Sequence, residues 1–358
     1  MKIWVDLRFL KQDNLYSLFI LEVVKELVKN QKHNVIVYSN DNLELNSDNC
    51  KIELVKEKVW SIGENLILNS KFKKEKFDLM IFFNEYKPIT YKEDYIMVIP
   101  SLQRLFFGPF KNSFSKYHYL RLLNSNLKNA KKIICFDKQT LWDLNERFNI
   151  KEDKIEIIKW FFPLKKENIE EEINKIDIKS RYNLKSDYII YDSMESSIKN
   201  LDKVLLAIKK MREQWSLLNL LILWDDAWKN LEFRKLVLDY EISDLVFFVW
   251  EIDEKSKYNY YKQSIGLVFP NIYATFPFEL NNALIFDTPI ISNDLESIKE
   301  STLGELEHFN SLSNTDTLNA LTSFLKKKKS INYNKILSDN SVEFYVKNLQ
   351  EMIDNRLF

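Results

Sequence analysis

Short, unbroken apolar runs alternate with longer amphipathic stretches along this chain, and few folds accommodate that order. Lys2–Leu7 reads as a strand, Leu15–Lys29 sets Leu18, Leu21, Val24 and Leu27 on one helical face, and Asn34–Tyr38 is the next strand. The pattern continues with strands at Phe77–Asn84, Tyr95–Pro100, Lys132–Phe136 and Lys154–Trp160, and helices at Tyr117–Ala130 and Gln139–Phe148. It resumes with strands at Tyr188–Tyr191, Leu220–Leu223, Val246–Val249, Gly266–Phe269 and Pro289–Ser292. Helices at Leu201–Glu213, Phe233–Tyr240, Lys255–Gln263 and Glu279–Phe286 separate them. A strand apolar on both faces must be covered on both, which implies βαβ crossovers and parallel sheets.

Two such series in 358 residues predict two domains of ordinary size. The fold class expected is α/β, with two Rossmann-like domains whose parallel sheets face a cleft and bind ligand beyond the carboxyl ends of the strands. The boundaries expected are 1–164, a charged linker at 165–183, a second domain at 184–340, and a helix at 341–358 returning to the first domain. Equal numbers of basic and acidic residues, 52 of each, argue against a nucleic-acid partner. Cys50 and Cys135 have no metal-ligand spacing, no apolar run reaches the ~18–20 residues a membrane span requires, and MKIWVDLRFL lacks a signal-peptide pattern. The location expected is cytoplasmic. Lys326–Lys329 reads as a solvated helix end, with a peripheral membrane contact as the alternative.

Several segments, in order, resemble the large retaining family of two-domain (GT-B) glycosyltransferases. They are KIWVDLRFL at the start, NAKKIICFDKQTLWDLNERF from Asn129, YDSMESSIKNLDKVLLAI from Tyr191, and FPNIYATFPFELNNALIFDTPIISND from Phe269. The resemblance implies transfer of a hexose from a nucleotide-diphosphate sugar to a glycan or lipid-linked acceptor, with retention and without a metal or other cofactor. Within it, Lys199 matches the lysine that holds the donor diphosphate, while the accompanying arginine is replaced by Ile198. Two carboxylates of the family fall at Ala274 and Asn282, the second being the ribose partner. Asn282 retains a neutral hydrogen bond in place of a charge-assisted one. Glu279 is the candidate to replace a lost carboxylate, and the backbone amides of Thr275 and Phe276 are candidates to face phosphate. Trp224 and Trp250, each following a strand, are candidates to flank the base. The family histidine on the acceptor side falls near Pro100 and Ser101 and is absent.

These departures leave two other readings open: a non-catalytic GT-B subunit that partners an active transferase, or a nucleotide-sugar epimerase of the same fold. A second question concerns the 8 tryptophans and only 4 glycines, against a usual ~7% glycine. Trp4 and Trp224 fall where the family carries glycine, and Trp160 and Trp250 lie one residue away. Either some of these are UGA codons decoded natively as glycine, or the protein is divergent and carries indoles there.

Overall fold

The computed structural model of the chain describes residues 1–10, 15–41, 43–45, 47–55, 77–89, 91–108, 110–163, 176–192, 200–223, 231–250, 252–275, 277, 279–326, 335–336 and 341–356. The chain divides into two compact units, Met1–Pro163 with Asn340–Phe358, and Leu164–Asp339.

The first unit is built on β1 (Lys2–Asp6), β2 (Asn34–Ser39), β3 (Cys50–Leu54), β4 (Leu79–Phe82), β5 (Tyr95–Ile99), β6 (Lys132–Cys135) and β7 (Ile155–Ile157). All pair in parallel, in the order β3-β2-β1-β4-β5-β6-β7. Its helices are α1 (Leu15–Lys29), α2 (Gln103–Phe107), α3 (Ser113–Asn129) and α4 (Lys138–Phe148). The edge strand β3, CKIEL, alternates apolar with charged residues and none of its five residues is fully buried, so it is not a continuous apolar run. Helix α3 begins four residues before the expected Tyr117. Asn112 and Ser115 cap each other's backbone there, with Ser115 N donating to Asn112 Oδ1 at 2.8 Å, so polar residues outside the apolar stripe extend the helix.

The second unit holds β8 (Tyr188–Asp192), β9 (Asn219–Leu223), β10 (Val246–Val249), β11 (Gly266–Phe269), β12 (Ile290–Asn293) and β13 (Glu307–Phe309), parallel in the order β10-β9-β8-β11-β12-β13. The helices are α5 (Ile178–Arg181), α6 (Leu201–Glu213), α7 (Leu231–Asp239), α8 (Glu254–Gln263), α9 (Glu279–Ile285), α10 (Glu296–Ser301) and α11 (Asn314–Lys326). The short α5, inside the segment read as a linker, is tied to α8: Gln263 accepts from Ile178 N at 3.1 Å and donates to Ile176 O at 2.6 Å.

Both sheets share one plan. The chain lays down three strands in one direction, then crosses back to continue on the other side of the first. Strand order therefore reverses between β1 and β4, and again between β8 and β11. At such a point the connections leave in opposite directions and open a crevice at the carboxyl edge.

The last helix, α12 (Val342–Arg356), belongs to the first unit and lies along α1. Tyr345 meets Phe19 edge-on at 5.2 Å, and Val346, Leu349 and Ile353 are fully buried. Near its end Asp354 forms an ion pair with Lys32 and lies 3.6 Å from His33 Nε2.

Trp4 lies mid-strand in β1, inside the strand expected from sequence, in register with Ile36 and Met80. Its indole is 1% exposed, with ring centroids 4.4 Å from Tyr38 and 5.5 Å from Phe77. The side chain fills the core of the first unit.

Candidate functional site

The carboxyl edge of the second sheet is where its sequence becomes polar while remaining buried. Strand β8, YIIYD, is buried throughout and closes on Asp192. A carboxylate held out of water needs partners. Asp192 Oδ2 accepts from the Tyr261 hydroxyl and pairs with Lys257 Nζ at 2.9 Å. Lys257 and Tyr261 are four residues apart on α8, hence on one face. Asp253 sets the start of that helix by accepting from Ser256 N at 2.7 Å. Thr288 donates to Tyr261 O at 3.0 Å, and the Tyr261 hydroxyl also lies 3.5 Å from Glu279 O, the first residue of α9. Strand β8, helix α8 and the start of α9 thus converge at the reversal of strand order.

A second set of bonds ties the loops along this edge. Asn200 adopts left-handed backbone, φ 40°, before α6 and donates to Ser311 Oγ at 3.0 Å. Ser311 N donates to Asn293 Oδ1 at 2.9 Å, and Asn293 Nδ2 donates to Asn271 O at 2.8 Å. Ser297 donates to Ala274 O. The loop after β11 is therefore pinned at Asn271 and Ala274, just ahead of Thr275.

Of the candidates from sequence, Lys199, Trp224 and Phe276 lie outside the described residues. Thr275 is buried at the end of the pinned loop, and Glu279 opens α9. Asn282 is 2% exposed, and its Oδ1 is a buried acceptor with no hydrogen-bond partner among the described residues. Such an orphan costs about 1–3 kcal/mol until a donor reaches it. Trp250 follows β10, the edge strand, with the Arg234 guanidinium 4.5 Å from its ring centroid.

The first unit also gathers charge at its reversal point. Asp6, at the end of β1, accepts from Arg8 Nε at 2.8 Å and from its terminal nitrogen at 2.6 Å, both residues being buried. Beyond β4, Tyr16 donates to Phe83 O at 2.6 Å and Tyr119 donates to Glu85 Oε2 at 2.6 Å. Burial raises the Glu85 carboxyl above its ordinary value, against the opposing pull of Tyr119 and of Arg104. Ser101, near the missing histidine, accepts from Gln103 N at 3.0 Å and so turns the chain into α2. No cluster of three or more His, Cys, Asp or Glu among the described residues is placed to hold a metal ion.

Two parallel sheets flanked by helices, each with this strand order, define the GT-B fold, and the comparisons with known proteins agree. Residues 172–339 match the family model described as glycosyl transferases group 1, so that domain is carried by the second unit. Among solved structures, the chain is similar to a glycosyltransferase from Rickettsia africae ESF-5 (TM-score 0.70, 15% identity, 99% of this chain and 98% of that one). It is similar to sucrose-phosphate synthase from Thermosynechococcus elongatus (TM-score 0.73, 14% identity, 99% and 98%). It is also similar to Anabaena HepE in complex with UDP and glucose (TM-score 0.68, 11% identity, 99% and 100%). At these identities the likeness is one of fold. No curated protein matches the sequence.

Asp192, Lys257, Tyr261 and Glu85 escaped the sequence reading. The one signal for the first three was a carboxylate closing an apolar strand. Its partners on α8 are 65 and 69 residues away in sequence, and only tertiary structure brings them together.

Proposed function

We propose that the protein transfers a hexose from a nucleotide-diphosphate sugar to a glycan or lipid-linked acceptor, with retention and without a metal, in the cytoplasm. The supporting observation is the polar, buried carboxyl edge at the β8/β11 reversal, inside the segment that matches the glycosyltransferase family. HepE, of the same fold, holds UDP and glucose in its crystal structure. In the reaction the bond from the sugar's anomeric carbon to the diphosphate oxygen breaks, the acceptor hydroxyl oxygen bonds to that carbon, and its proton leaves to a base. The Lys199 ammonium and the Thr275 and Phe276 amides stabilise the departing diphosphate. Asn282 Oδ1 accepts from a ribose hydroxyl, which relieves its orphaned state.

Incubation with UDP-, GDP-, ADP- and dTDP-hexoses and a lipid extract, with EDTA present, tests this reading. It predicts release of one nucleoside diphosphate and a glycoside of unchanged anomeric configuration by NMR. A free epimerised nucleotide sugar would assign the protein to the epimerases instead. The partner-subunit reading draws on Ile198 in place of the family's arginine, Ala274 and Asn282 in place of its two glutamates, and the absent histidine near Pro100 and Ser101. It predicts no turnover alone and co-purification with an active transferase.

A peripheral membrane contact belongs to the same proposal. Between Tyr95 and Phe136 the sequence contains no Asp or Glu, and Lys111, Lys116, Arg121 and Lys128 are all exposed. Phe114 and Tyr117 lie among them on α3, 77% and 61% exposed. Cations interleaved with outward aromatic rings suit an anionic lipid surface.

A further inference from the structure

The side chains of Lys257 and Asp192 are 12% and 2% exposed at the carboxyl edge of a parallel sheet, where strand order reverses. An ion pair held this far from water gains little net stability, because desolvation offsets most of the attraction. Helix α8 nevertheless turns Lys257 inward, while Lys262 in its last turn supplies the basic residue that favours a helix end. The pair's position is what sets it apart: Asp192 is the last residue of β8, and Tyr261 links its carboxylate to the start of α9.

We infer that Lys257 supplies a second cation to the diphosphate of the nucleotide-sugar donor, with Asp192 and Tyr261 as the residues that position it. This rests on the donor reading above and adds a residue to it. An ammonium has three donors directed tetrahedrally, so one nitrogen can bridge a carboxylate and a phosphate oxygen. The carboxylate supplies the buried ammonium with a counter-ion 2.9 Å away, without which its charge would be desolvated unpaired. The Tyr261 hydroxyl donates to the same carboxylate oxygen, which fixes where the ammonium stands. The arrangement also answers a shortfall in the sequence. Ile198 leaves the segment after β8 with Lys199 as its cation, and a departing diphosphate carries at least two negative charges. Lys257 brings a second ammonium from a different element, its charge shared between Asp192 and the diphosphate.

Calorimetry on the full chain tests this with whichever of UDP, GDP, ADP and dTDP the wild type binds, each compared with its own nucleoside. Lys257→Ala is expected to weaken diphosphate binding at least tenfold and to leave nucleoside binding within twofold. Lys257→Arg is expected to retain most of the affinity. Because Lys257→Ala leaves a buried carboxylate without its counter-ion, Asp192→Asn/Lys257→Met serves as the neutral, size-matched control for folding. The same selective loss is expected there. Diphosphate affinity within twofold of wild type in the folded double variant overturns the inference, as does an equal loss for the nucleoside. A wild type that binds none of the four diphosphates overturns the donor reading itself, and this inference with it.

Discussion

At the scale of single residues, two tryptophans behave in opposite ways. Trp4 is locked into the core against Tyr38 and Phe77, so Trp4→Gly should cost about 4 kcal/mol or more in urea unfolding. Trp215 is 94% exposed and sits in left-handed backbone, φ 61°, just past the end of α6. Its N–H donates to Arg212 O at 2.9 Å, and Ser216 N donates to Met211 O at 2.9 Å, a helix end that favours glycine at the left-handed position. Trp215→Gly should therefore raise stability by roughly 0.5–1 kcal/mol in the same experiment. Family motifs place glycine at Trp4 and Trp224, and the left-handed backbone at Trp215 adds a further position at which glycine is the favoured residue. A UGA codon at 215 would mark glycine as the native residue there, and UGG would make the indole native.

At the scale of elements, strands and helices were legible wherever burial dictates composition. Strands β1, β2, β4 to β6 and β8 to β12 all announce themselves as apolar runs. Strands β3 and β13 do not: both mix charged with apolar residues, and EHF has only one buried residue, whereas β10 is also an edge strand yet wholly apolar. The site was legible only in part, for the same reason. Asn282 and Thr275 stand within a continuous motif, whereas Asp192 and Lys257 meet across 65 residues. Docking of α12 on α1 yields a prediction in pH. Burial lowers the His33 pKa below its ordinary value and outweighs Asp354, which raises it, while the N-terminal amine and Lys32 lower it further. The neutral form is favoured in the fold, so the unfolded chain binds the proton more readily. Stability should fall as pH drops through the window just below the unfolded value of ~6.5 and be fully present above it. Melting temperature measured between pH 7.5 and 5.5 should fall less in His33→Gln than in wild type. Parallel curves would remove His33 from the linkage.

At the scale of the whole molecule, both units repeat one topology and each gathers buried charge at its reversal point, Asp6 with Arg8 in one and Asp192 with Lys257 in the other. The first unit also carries the acid-free face of α3. Co-sedimentation with phosphatidylglycerol vesicles should exceed that with phosphatidylcholine, and Lys116→Glu/Arg121→Glu should lower it on the order of tenfold or more, at about 1 kcal/mol per basic residue. Equal binding to both vesicles would rule out the electrostatic contact. Calorimetric titration of the intact protein with UDP-, GDP-, ADP- and dTDP-hexoses in EDTA tests the proposal that the carboxyl edge of the second sheet holds a nucleotide sugar. Saturable, one-to-one binding of at least one donor is expected, weakened about three- to tenfold by Asn282→Ala as a neutral hydrogen bond is lost. A folded protein that binds none of them, or that binds one equally well without the Asn282 amide and without the Lys257 ammonium, would contradict it.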